Sequence, residues 1–347
     1  MAHSTRITLS PAVDLDAVAV AWRALEARAD ASFFQSWTWI GCCAAERFAG
    51  ATLLRAGDAG LALLGRSRSW QGRQFWLNES GDPAWDANYI EHNGPLLADP
   101  ALLPACLRIL LASGRLLRLS GVSDAHLAAA RAAGVVRLLH SQPAPFIDLA
   151  ASGTAPDGYL AGLSPNTRYQ LRRSDRAYAA AGALTLRRAE TLSEALEFLE
   201  ALAVLHQAAW TARGRPGAFA NPAFVRFHRE LLARAMPRNE VDLLRISAGE
   251  QVIGYLYNFR HRSRVLAYQS GFDYAGAGPH GKPGLTCHHA AIEQARCDGA
   301  TVYDFLAGGD RYKTSLARAS VTLHWLEVAR PASWPGAVIA LKNCLRR

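Results

Sequence analysis

Lysine is nearly missing from this chain: of its 38 Lys plus Arg residues, only Lys282, Lys313 and Lys342 are lysine. Where arginine is the default cation, a lysine marks a place that needs a compact, mobile ammonium rather than a planar fork. Long apolar runs are missing too, so no segment reads as a membrane-spanning helix. The opening Met1-Ala-His-Ser-Thr-Arg6 is not followed by the apolar stretch of a secretory signal. These absences lead to the expectation of a soluble, cytoplasmic protein with no integral membrane segment. The six cysteines contain no Cys-x-x-Cys pair, which argues against a disulfide framework and for reduced, mostly buried thiols. Cys287-His288-His289 is contiguous, and contiguous helical residues point in different directions, so no metal is expected there.

What is present is bulk and uneven charge. At 347 residues and 50% hydrophobic composition the chain has enough for two cores. Its acids and bases cancel over residues 1–150, so the whole net charge of +9 lies in residues 151–347. Such an excess attracts polyanions: CoA, a nucleotide-sugar diphosphate, an acyl-carrier protein or tRNA. The small, breaking residues of 150–158 give the clearest boundary, so the predicted domains are 1–150 and 151–347. An internal echo supports two copies of one fold. Leu53-Leu54-Arg55 with Ala59-Gly60, and Leu243-Leu244-Arg245 with Ala248-Gly249, each follow a helix and precede a strand.

Along the first half, residues 52–56 and 61–66 form a hairpin pattern around a Gly/Asp cluster. Residues 78–93 are polar, aromatic and turn-rich, and read as a long surface excursion. Trp85, Tyr89, Glu91 and His92 on it are candidate acceptor contacts. The second half opens on a helix with Ser164 as N-cap and Pro165 in the first turn. That helix carries Arg168, Arg172 and Arg176 at successive i+4 steps, a cationic stripe whose self-repulsion an anion would relieve. Strands at 241–247, 252–259 and 265–271 form an antiparallel meander. A glycine-rich loop, 276–284, then leads into a helix, where backbone N–H groups and the helix dipole favour an anion. His280, Gly281, Lys282 and Gly284 are the candidate phosphate contacts. A short helix from Trp334, apolar on one side and basic at its end, is expected to pack on the second domain, with a membrane-surface role as the alternative.

The chain is organised around the strand, turn and helix of Tyr303-Asp304-Phe305-Leu306-Ala307-Gly308-Gly309-Asp310-Arg311-Tyr312-Lys313, which sets charged groups at the end of a sheet strand. This ending resembles the signature of the CelD/BcsL-like acyltransferases, relatives of the Fem peptidyltransferases within the GNAT superfamily. The resemblance runs over residues 160–316 and more weakly before them. It implies an α/β protein of tandem GNAT-like domains, each a mixed, mostly antiparallel sheet flanked by helices. The first would be degenerate or acceptor-side, the second catalytic. It also implies acyl transfer from acetyl-CoA or another acyl-CoA to an amine or hydroxyl of a small polar acceptor, in keeping with polysaccharide or cell-envelope synthesis. Lys313 would then stabilise the reacting carbonyl, Tyr312 orient it, and Asp304 or Asp310 hold the constellation. His289, Asp304 and Glu91 are candidates for the base, and none is distinguished. Two other readings stand beside this one: Fem-like aminoacyl transfer from aminoacyl-tRNA, and a non-catalytic binding protein on the same fold.

Overall fold

The computed structural model describes residues 5–47, 50–69, 72–151 and 158–345. Most of the breaking segment between the two halves, residues 152–157, therefore lies outside the described residues, as do residues 1–4. In chain order the strands are β1 (Ile7–Pro11), β2 (Thr52–Ala56), β3 (Gly60–Ser69), β4 (Gly72–Leu77), β5 (Leu96–Leu97), β6 (Leu116–Val122), β7 (Val135–Asp148), β8 (Leu184–Arg188), β9 (Val241–Ala248), β10 (Gln251–His261), β11 (Arg264–Phe272), β12 (Val302–Asp304) and β13 (Ala319–Ala329). The helices are α1 (Leu15–Glu26), α2 (Trp37–Arg47), α3 (Leu103–Ser113), α4 (Asp124–Ala133), α5 (Gly158–Ala161), α6 (Pro165–Ala179), α7 (Leu192–Thr211), α8 (Pro222–Ala235), α9 (Pro283–Cys297), α10 (Arg311–Leu316) and α11 (Trp334–Cys344).

The chain divides into two units, Met1–Gln142 with Thr322–Arg347, and Pro143–Val321. In the first, β1, β2, β3 and β4 are antiparallel neighbours, β6 joins β4 in parallel, and β13 closes on β6 antiparallel. In the second, β8, β9, β10 and β11 repeat that meander, β12 joins β11 in parallel, and β7 closes on β12 antiparallel. A parallel neighbour needs a crossover, and α3 and α9 supply it at the same place in each unit. The sequence echo falls on equivalent hairpins, β2–β3 and β9–β10, whose turns hold Gly57 at φ 56° and Gly249 at φ 53°. The left-handed conformation there favours glycine, so each of the two hairpins carries one at the first residue of its turn. The fold is thus α/β, with a GNAT-like mixed sheet and flanking helices given twice.

One expectation about the boundary is corrected. Residues 322–347 belong to the first unit rather than the second, because Leu326 and Val328 of β13 enter its core beside Leu117, Leu119 and Leu107. The helix from Trp334 goes with them, its Ile339 packing on Leu116 and Ala329 of that same unit. The second core gathers Ile246, Leu256, Val265 and Tyr303 from its strands, Phe305 from just after β12, and Ile292 from α9. All six cysteines are free thiols.

Candidate active site

In the second unit the parallel strands β11 and β12 part soon after they meet. Their pairing runs from Arg264↔Val302 to Leu266↔Asp304, after which β11 continues alone to Phe272 while the chain turns away from β12. On the other edge of β11, the register with β10 slips between Tyr257 and Asn258, a bulge at the level of the parting. Beyond Asp304 the backbone is tightly held. The Asp304 carboxylate, 1% exposed, accepts the Leu306 amide at 2.8 Å and fixes Leu306 at φ 59°, a conformation that branched side chains resist. Gly308, at φ 135°, donates its amide to Pro143 at 3.0 Å, which anchors the turn to the start of the unit. Lys313 then reaches back over Gly308, its Nζ donating to the Ala307 carbonyl at 2.9 Å. A Cβ at position 308 would stand 3.0 Å from that ammonium, so the glycine serves both the backbone angle and the approach of the charge.

Behind the ammonium lies a ring cluster. The imidazole of His288, from the second turn of α9, stacks on Tyr312 at 5.1 Å and 17° and meets Phe305 edge-on at 5.2 Å. Its Nδ1 is hydrogen-bonded to the Tyr303 hydroxyl at 3.1 Å, whereas its Nε2 is buried with no partner among the described residues. Burial, and secondarily the Lys313 charge, pushes the His288 pKa down to about 3, so the ring is neutral at ordinary pH. The Tyr312 phenol is pushed well up by burial and by the neighbouring Asp310 carboxylate. The Tyr274 phenol is pushed up by burial, with the Arg213 charge opposing and the Asp310 carboxylate adding to the rise, so Arg213, Tyr274, Asp310 and Tyr312 act on one another electrostatically. Asp310 stands at the N-cap of α10 without its side chain capping the helix.

The glycine loop ends β11 and begins α9. Its last residues are seated on α6 by a chain of hydrogen bonds. The Lys282 amide donates to Ser174 Oγ at 2.8 Å, Ser174 bonds Thr286 at 2.8 Å, and Thr286 donates to Asp175 at 2.7 Å. The other Asp175 oxygen receives His289 Nδ1 at 3.1 Å. One turn along α6 from Ser174, Tyr178 places its hydroxyl under Gly281, 3.0 Å from where a Cβ would be. That hydroxyl is buried and unpartnered among the described residues, and its pKa is pushed up to about 12, chiefly by burial. At the lip, Arg173 donates to the His280 ring at 2.7 Å, which sets two nitrogen-rich side chains side by side. Arg173, His280 and the unpartnered Tyr178 hydroxyl thus set hydrogen-bonding groups around the loop, of the kind an anion accepts from.

The expected residues are therefore brought together unevenly. Lys313, Tyr312, Asp304 and Asp310 share one end of the strand β12, and His280, Gly281, Lys282 and Gly284 share the loop at the end of the parallel strand β11. His288 joins the two ends, since it is on α9 and stacks on Tyr312. His289 faces the other way, onto Asp175 of α6. The arginine stripe lies along a groove of about 620 Å³ lined by Arg168, Tyr169, Arg172, Asp175 and Arg176. Arg168 is already occupied there, donating to the carbonyls of Ala161 and Leu163, while Arg172 is exposed. The segment 78–93 is in the first unit and is less superficial than its composition implies. Asn78, Glu79, Glu91 and Asn93 are buried, Asn78 donates to Asn93 at 2.9 Å, and only Tyr89 of the candidate acceptor contacts is exposed. Asparagine amides satisfying each other and the backbone explain how so polar a stretch goes inside. Sequence reasoning missed Tyr178, Arg213, Tyr274, Ser174 and His288. Only the i+4 spacing of Ser174 and Tyr178 was a usable signal.

Residues 165–314, from the first residue of α6 to the one after Lys313, match the family model of an acetyltransferase (GNAT) domain. No curated relative matches the chain. Among solved structures it is similar to FemX, with 10% identity, a TM-score of 0.60, and 90% of this chain and 96% of that one covered. It is similar also to L-PGS from Bacillus licheniformis, with 11% identity, a TM-score of 0.58, and coverage of 93% and 95%. At such identities the likeness is one of fold.

Proposed function

We propose, for an N-acyltransferase whose residues 165–314 match an acetyltransferase (GNAT) domain, that the donor is a CoA-type thioester and the acceptor an amine or hydroxyl of a polar metabolite. The observation that carries this reading is the parting of β11 from β12, with a phosphate-fitting loop on one lip and Lys313 with Tyr312 on the other. The donor's phosphates lie against the loop, His280, Lys282 and the first turn of α9, and its thioester runs between the strands. The acceptor nitrogen or oxygen attacks the carbonyl carbon, the C–S bond breaks, and the acceptor's proton ends on the departing sulfur. Lys313 faces the oxygen that gains negative charge, the role worth most in a water-poor site. Arg213, Tyr274 and Asp310 form the polar wall that receives the acceptor. The finer reading, in line with the CelD/BcsL-like ending, is N-acetylation of a sugar or cell-envelope precursor. Mass spectrometry of whatever thioester co-purifies, followed by thiol release with that donor across amino-sugar and amino-acid acceptors, tests it. Absence of both donor binding and thiol release would sink the reading.

A second reading has support in the exposed Arg172 and Arg176 along α6, which suit a longer polyanion. An aminoacyl-tRNA or an acyl-carrier protein would then bring the acyl group. RNA binding that weakens steeply with salt favours the tRNA form, whereas saturable acyl-CoA binding unaffected by RNA counts against it.

A further inference from the structure

We infer that the outer face of α11 docks on an anionic lipid surface. The inner face of this helix is accounted for: Pro335, Gly336 and Ile339 are buried, and Asn343 donates to the Val136 carbonyl at 2.9 Å. The outer face is apolar as well. Trp334 is 62% exposed, Leu341 62% and Leu345 79%. At about 100° per residue these positions fall within roughly 40° of one another, so they form one stripe rather than scattered contacts. A helix that is apolar all round is ordinarily covered on both sides.

Charge decides what covers it. Arg330 is exposed just before the helix and its amide donates to the carbonyl of exposed Arg115 at 3.2 Å, so two cations flank the Trp334 end. Lys342 is exposed beside Leu341, and the sequence from Arg330 onward contains no acidic residue. Pairing this face with its own copy, in either direction, sets cation against cation. A lipid layer with negative headgroups satisfies both parts: Trp334, Leu341 and Leu345 enter the acyl boundary, and Arg115, Arg330 and Lys342 lie among the headgroups.

Cosedimentation of the full chain with phosphatidylcholine vesicles, with and without phosphatidylglycerol, tests this. Binding to the anionic vesicles is expected, falling at least about tenfold when salt is raised to screen surface charge. The triple variant Trp334→Ser, Leu341→Gln, Leu345→Gln is expected to lose binding by at least about tenfold with its melting temperature unchanged, because these side chains are exposed. Failure to bind anionic vesicles, or equal binding by the variant, overturns the proposal. So does a dimer in light scattering that the triple variant dissolves, which would give the face to a second copy.

Discussion

At the scale of single residues, the proposed acyl transfer rests on the ammonium of Lys313, held at the end of β12 by the Ala307 carbonyl. Lys313→Ala is expected to lower kcat by about 100-fold or more, and Lys313→Arg to rescue little, because a planar guanidinium does not fit over Gly308. Circular dichroism should show both variants folded. Retained turnover in both would remove the assignment. Tyr178 makes a different prediction. A hydroxyl held without a partner under Gly281 stabilises a bound donor by about one hydrogen bond, so Tyr178→Phe should raise donor KM by about tenfold and leave kcat alone. His288 contributes to acid lability. Below its ordinary pKa of 6.5 the unfolded chain takes up a proton that the folded ring refuses until about pH 3, so stability falls as pH drops through that window. At pH 5 the cost is about 2 kcal/mol. Thermal unfolding of His288→Gln at pH 7 and pH 5 should show that much less acid loss than the parent.

Among the elements, the turn from β12 to α10 and the seam between α6 and α9 do the positioning. The turn works because Asp304 holds Leu306 in a left-handed conformation and Gly308 leaves room for the Lys313 ammonium. Gly308→Ala is therefore expected to displace Lys313 and strain the backbone, lowering kcat with a loss of about 1–2 kcal/mol in stability. Denaturant titration and kinetics together check this, and an unchanged kcat would count against the turn as a positioning device. The α6–α9 seam is a run of hydrogen bonds from the Lys282 amide through Ser174 and Thr286 to Asp175 and His289. It also holds His289, one of three undistinguished candidates for the base, against Asp175 at 3.1 Å. The neighbouring His288 stacks on Tyr312 instead, since adjacent helical residues point about 100° apart.

For the whole molecule, the repeated strand order means that each unit closes its sheet with a strand from near a chain crossing, β13 in the first and β7 in the second. Leu323, Leu326 and Val328 of β13 are fully buried, each worth about 1.5–3 kcal/mol. Deleting residues 322–347 is expected to abolish the cooperative melting of the first unit, whose core they complete. A calorimetric trace unchanged by the deletion would refute that account of β13.

Some of this could be read without coordinates. The meander at 241–271, the glycine loop before α9, the cation stripe on α6 and the Tyr-Lys ending are local patterns, written in spacings of two, four or a few residues. The Leu-Leu-Arg strands of the two hairpins also exposed the internal repeat, because each runs into a short glycine-bearing turn. The return of β13 to the first unit, the stacking of His288 on Tyr312, the burial of Asn78, Glu79, Glu91 and Asn93 and the unused hydroxyl of Tyr178 could not be read that way. Each depends on which distant surfaces meet: apolar strand edges that must be covered, and polar atoms that must find partners once water is gone. Local sequence sets the menu of elements, and desolvation in the assembled core selects which of their side chains are left to do chemistry.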